Sequence, residues 1–161
     1  MNQQVLLGAG CFWGVQYYFD QVPGVLETVV GYAGGHTKNP SYEDVCSHAT
    51  GHAEVVLIKF NPKKVTYKTL IQHFFRIHDP TQLNRQGLDI GDQYRSVIFY
   101  FNNEQQTIAR ECKKSAQSNY QAPIVTQIEQ APIFYKAEEY HQKYAEKTGR
   151  GQCHIAYAPI E

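Results

Sequence analysis

Glycine, proline and asparagine break this chain at short intervals, and that punctuation limits its fold more than any other feature. No periodic stretch outruns the one at 102–120. The stretches also alternate in kind. Residues 5–9, 25–32, 52–60, 94–101 and 124–129 are apolar or β-branched runs, as strands are. Residues 11–22, 41–48, 66–78, 102–120 and 137–147 read instead as helices. Pro23-Gly24 and Asn61-Pro62 close segments, while Ser41 with Asp44, Thr66, and Asn102 with Gln105 supply N-cap chemistry. Residues 79–93 have no period and form a loop of the length that often carries function. The alternation predicts one α+β domain over 1–161, a mixed β-sheet packed with helices as a two-layer α/β sandwich. Residues 148–161, with Gly149, Gly151 and Pro159, complete it as a long, irregular, mobile C-terminal tail.

A chain with 42% hydrophobic and 13% aromatic residues has the material for a core, which excludes a disordered protein. Its 15 basic and 15 acidic residues cancel and form no basic stripe, which argues against nucleic acid and against a polybasic membrane anchor. No run approaches the ~20 apolar residues of a membrane span. Met1-Asn2-Gln3-Gln4 lacks the charged start of a signal peptide. The expectation is a cytoplasmic monomer, in which Cys11, Cys46, Cys112 and Cys153 are thiols rather than structural disulfides.

The stretch LLGAGCFWGVQ, residues 6–16, places Cys11 behind Gly8 and Gly10 and before Phe12 and Trp13. A phosphate cradle is excluded. The spacing is GxGxxxG, the second strand ends on Gly31-Tyr32 without an acid, and two bulky rings sit where a pyrophosphate must approach. A cysteine at a helix start has two other readings: a thiolate stabilised by unpaired amides and the helix dipole, or a small buried core residue. The sequence leaves both open. Cys46, His48 and His52 have partial zinc-ligand spacing but no second ligand pair, so no metal is expected, with Cys46 in the core and the histidines in loops or on the surface. Glu54 either shares an apolar face with Val56, Ile58 and Phe60 or is an exposed strand-end carboxylate. A cysteine hydrolase would need a histidine base, with His36, His48, His52 and His78 as candidates.

GCFWG resembles the signature of the peptide methionine sulfoxide reductase A family, and further blocks resemble that family in the same order. They are VVGYAGGHTKNPSYEDVCSHATGHAEVV (29–56), HDPTQLNRQGLDIGDQYRS (78–96) and AEEYHQKY (137–144). The resemblance implies an enzyme that reduces methionine (S)-sulfoxide, free or in proteins, and so repairs oxidised proteins. It makes Cys11 the nucleophile, Phe12 and Trp13 the aromatics around the substrate methyl, and Glu54 the acid that protonates the sulfoxide oxygen. Tyr42 and Tyr94 match the phenols that bond that oxygen, and Asp89 a supporting carboxylate. Cys153 matches the recycling cysteine, which would convert a Cys11 sulfenic acid to a Cys11–Cys153 disulfide. Thioredoxin is the implied external reductant, and no bound cofactor is implied. The chain departs from the family at Gln16 and Gln152, where acidic and aromatic residues are common, and it lacks a second tail cysteine, which suggests a two-cysteine cycle.

Overall fold

The computed structural model describes residues 3–150 and 157–160. The strands are β1 (Gln3–Ala9), β2 (Val25–Ala33), β3 (Ala53–Phe60), β4 (Arg85–Gln86), β5 (Asp89–Ile90), β6 (Ser96–Tyr100), β7 (Gln127–Gln130) and β8 (Tyr135–Lys136). The helices are α1 (Phe12–Phe19), α2 (Tyr42–Cys46), α3 (Tyr67–Arg76), α4 (Asn103–Gln117) and α5 (Tyr144–Thr148). One sheet runs in the order β7-β6-β1-β3-β2-β8, and β4 with β5 makes a separate hairpin. All neighbours in the large sheet are antiparallel except β6 and β7, so the sheet is mixed, as expected.

The apolar run of β1 is explained by its central place. Val5, Leu7 and Ala9 join the main core with residues of α1, α3 and α4. Leu6 joins a smaller cluster with Val55, Val97 and Phe99. Alternate residues thus enter different clusters, and every one of them is buried. Thr66 caps α3 by accepting from the Thr69 N–H, Asn102 caps α4 through Gln105, and Ser41 and Asp44 form a capping box on α2.

Four expectations need correction. The helix at 137–147 does not form. Ala137 donates its N–H to Val30, residues Glu139–His141 make a single 3₁₀ turn, Lys143 turns left-handed at φ 59°, and only Tyr144–Thr148 is α-helical. The reason is tertiary. The Gln142 side chain bonds both the N–H and the C=O of Val30 and so pins the stretch to β2, while Gln16 Oε1 takes the Lys143 N–H that a helix would have used. The loop at 79–93 holds the β4–β5 hairpin and a 3₁₀ turn at Asp92–Tyr94, which delays the next strand to Ser96. Helix α1 ends at Phe19 rather than 22, where the Val22 N–H turns back to the Phe19 carbonyl. Strand β7 begins at Gln127 rather than 124, where its ladder with Val97 begins. Among the described residues no helix is long and apolar enough to cross a membrane.

Candidate active site

Strands β1 and β2 end, and β3 and β6 begin, at one end of the sheet, because their antiparallel registers pair Tyr32 with Glu54 and Ala9 with Ser96. Cys11 follows β1, Glu54 is the second residue of β3, and Tyr94 closes the turn before β6. The excursions at 34–52 and 79–95 both leave from and return to this end, bringing Tyr42 and Asp89 with them.

The glycines before Cys11 make room. A Cβ on Gly8 would lie 2.9 Å from the Glu54 carbonyl oxygen and 3.1 Å from Val97, so only glycine lets β1 pass this close. Gly10 has φ 97°, and a side chain there would also meet Gln86 of the hairpin at 3.1 Å. Cys11 is then the N-cap residue of α1 and is partly exposed, which excludes the core-filler reading. Its side chain does not cap the helix. Glu54 does, since its Oε1 accepts the Phe12 N–H at 3.2 Å. Glu54 is therefore joined to the residue that directly follows Cys11 by a hydrogen bond across 42 positions of sequence.

Glu54 is 1% exposed and shares its face with Val56, Ile58 and Phe60, all buried, so the exposed-carboxylate reading is excluded too. The phenols of Tyr42 and Tyr94 are pushed well above their ordinary range. Burial is the main cause for both; the Cys46 thiol and then Glu54 add to it at Tyr42, and Glu54 and then Asp89 at Tyr94. Both hydroxyls therefore remain protonated donors beside Glu54. Asp89, half-buried in β5, lies close enough to act on Tyr94.

Phe12 is buried, with its ring 5.8 Å from Tyr32 and 5.2 Å from His141. Trp13 stacks on Tyr144 at 3.9 Å and donates its Nε1–H to His141 Nδ1 at 2.9 Å. That bond places the His141 proton on Nε2, and burial lowers the pKa of the ring, which keeps it neutral. Glu138 is a second organiser. It accepts the Tyr42 N–H at Oε2 and the Tyr32 hydroxyl at Oε1, both at 2.9 Å. Burial opposes its charge, but those bonds outweigh burial and hold the carboxyl below its usual range.

Sequence reasoning assigned no role to Glu138, His141 or Tyr144. Their signal was the polar-aromatic string AEEYHQKY, which a helical reading spreads around a cylinder. One further expectation fails. Cys46 is not in the core but partly exposed, within hydrogen-bonding reach of the Tyr42 hydroxyl and accepting from Gln93 Nε2 at 3.6 Å. His52 lies in the loop before β3, as expected, but is buried there at 2% exposure, accepting the Gly35 N–H at Nδ1 and donating Nε2–H to the Thr37 carbonyl. His78 is likewise committed, to the Phe74 carbonyl and the Ser96 hydroxyl, so neither ring is available as a base. Cys153 lies outside the described residues.

A family model described as peptide methionine sulfoxide reductase matches residues 3–161. The chain is 55% identical to peptide methionine sulfoxide reductase MsrA of Acidobacterium capsulatum over 92% of this chain and 96% of that one. Among solved structures, reduced Mxr1 of Saccharomyces cerevisiae superposes with a TM-score of 0.87 at 38% identity, covering 93% of this chain and 87% of that one. Mxr1 in complex with Trx2 is also similar, with a TM-score of 0.64 at 29% identity over 89% of this chain and 85% of that one.

Proposed function

The chain belongs to the peptide methionine sulfoxide reductase family, and from that premise we propose how its own residues carry the reaction. It is an oxidoreductase that reduces methionine sulfoxide through a thiol and is recycled by thioredoxin. Cys11 attacks the sulfoxide sulfur while Glu54 protonates the oxygen, which is a poor leaving group until it carries a proton. Tyr42 and Tyr94 hold that oxygen with their protonated hydroxyls, and Asp89 steadies Tyr94. Phe12 and Trp13 enclose the methyl group. Oxygen passes to Cys11 as a sulfenic acid and methionine leaves, so the substrate sulfur gains the two electrons that the Cys11 sulfur loses. The proton Cys11 gave up on ionising replaces the one Glu54 donates.

The Cys153 thiol then attacks the sulfenic sulfur, releasing water and closing a Cys11–Cys153 disulfide. The dithiol of thioredoxin returns two electrons and two protons. The S epimer, free or within an oxidised polypeptide, is the substrate, and a reducing cytoplasm is the setting in which such a cycle runs. The observation that carries this reading is the Phe12–Glu54 hydrogen bond, which fixes a buried carboxyl at the helix start that bears the thiol. The test is a single turnover. Cys11→Ser is expected to release no methionine. Cys153→Ser is expected to release one equivalent, to keep Cys11 as a sulfenic acid and to lose thioredoxin-driven turnover. Full thioredoxin-driven activity in Cys153→Ser would refute the recycling role.

A further inference from the structure

The two phenols of the site stand on separate excursions of the chain, Tyr42 on α2 and Tyr94 in the 3₁₀ turn before β6. Side chains join those excursions. Cys46 lies four positions after Tyr42 on α2, so the two are neighbours on one helix face, and its sulfur is within hydrogen-bonding reach of the Tyr42 hydroxyl. Gln93, directly before Tyr94, donates from Nε2 to Cys46 Sγ at 3.6 Å. The sulfur thus stands between the phenol of one excursion and an amide of the other.

The fold gives something up for this arrangement. Gln93 is 2% exposed, yet its Oε1 has no partner among the described residues. A buried amide with one end unmet costs stability, and what this one holds is the sulfur. Gly91 leaves room for it. Its φ is 143°, and a Cβ there would stand 2.7 Å from Gln93 Oε1. Burial raises the Cys46 thiol above its ordinary range, with the bonds from Tyr42 and Gln93 opposing, so the sulfur keeps its proton. A thiol can accept a hydrogen bond and donate one.

We propose that Cys46, fixed by Gln93, is a positioning residue for the Tyr42 hydroxyl. Before substrate enters, the phenol is held on the sulfur. When a sulfoxide binds, the phenol turns its proton to the sulfoxide oxygen, and the Cys46 S–H then donates to the phenol oxygen. Hydrogen bonds in such a chain strengthen one another. The sulfoxide oxygen gathers charge as Cys11 attacks, so the gain falls on the transition state. Cys46 is neither oxidised nor reduced, and only hydrogen bonds are exchanged. The inference rests on the role given to Tyr42 above.

The test is a double-mutant cycle on methionine release in a single turnover, which needs no recycling step. Cys46→Ala is expected to slow release at saturating methionine sulfoxide about three- to tenfold, the scale of one neutral hydrogen bond. The half-saturating concentration should change less. Cys46→Ser, which can donate and accept, should recover part of the rate. Gln93→Leu keeps the volume without the amide and should slow release in the same direction. In Tyr42→Phe the ring remains without its hydroxyl, so adding Cys46→Ala should slow release no further. A wild-type rate in Cys46→Ala, or no recovery in Cys46→Ser, would overturn the proposal. If Tyr42→Phe releases methionine at the wild-type rate, the role of Tyr42 fails and this proposal with it. If Tyr42→Phe is slow and Cys46→Ala costs as much in it as in the wild type, only this proposal fails.

Discussion

Glu54 serves two neighbours at once: its Oε1 caps α1 through Phe12, and its charge bears on the phenols of Tyr42 and Tyr94. Glu54→Gln separates these duties, because the amide oxygen still accepts the Phe12 N–H but no acidic proton remains. Steady-state assays with dithiothreitol are expected to show kcat lower by about 10²-fold or more with KM little changed. A pure KM effect would remove Glu54 from the chemistry. His141 acts on the other side of the site, where it accepts from Trp13 between the rings of Phe12, Tyr42 and Tyr140. In His141→Phe the indole N–H loses its acceptor, at a cost of about 1–3 kcal/mol. A rise in KM larger than the fall in kcat is expected, since the role proposed for Trp13 is to hold substrate rather than to move protons. Cys11 shows where sequence reading reached its limit. A thiol at a helix start has the same letters whether it is reactive or buried, and it is the partial exposure of Cys11 that excludes the buried reading.

At the scale of elements, what was legible followed period and what was not followed tertiary bonding. The central strands and the capped helices α3 and α4 were readable because their apolar residues repeat and their caps are local. The hairpin β4–β5 has only two residues per strand, too few for any period to register. The 137–147 stretch misled because Gln142, Lys143 and Glu138 bond to residues more than 90 positions away. Helix α2 is the reverse case. It has five residues, too few to stand on propensity, and is held by its capping box and by Glu138 on the Tyr42 N–H. Glu138→Ala is expected to cost about 1.5–3 kcal/mol, the scale of bonds to a charged group. Calorimetry would measure that loss. Activity should drop with it, because Tyr42 is no longer held; unchanged stability and activity would show that α2 needs no outside support.

At the scale of the whole molecule, the helical layer carries two buried histidines that set its acid tolerance. Burial is the main cause that lowers both His73 and His78 to a pKa of about 4. The folded protein keeps both rings neutral, whereas the unfolded chain protonates them near pH 6.5. Their contribution is complete above pH 6.5 and is lost as pH falls toward 4. The carboxylates of Asp79 and Glu138, held below their usual range, weaken the fold only at lower pH still. The melting temperature is therefore expected to drop between pH 6.5 and 4, and to drop less steeply in His78→Gln; an equal slope in both proteins would place the acid sensitivity elsewhere. The topology has a consequence for synthesis as well. Glu54, the acid proposed for Cys11, follows it by 43 positions, and the Trp13–His141 contact reaches across 128 residues. At about 5–20 residues per second, a ribosome takes on the order of ten seconds between delivering the cysteine and delivering His141. Until His141 emerges the Trp13 indole N–H lacks its acceptor, so these contacts are complete only near the end of synthesis.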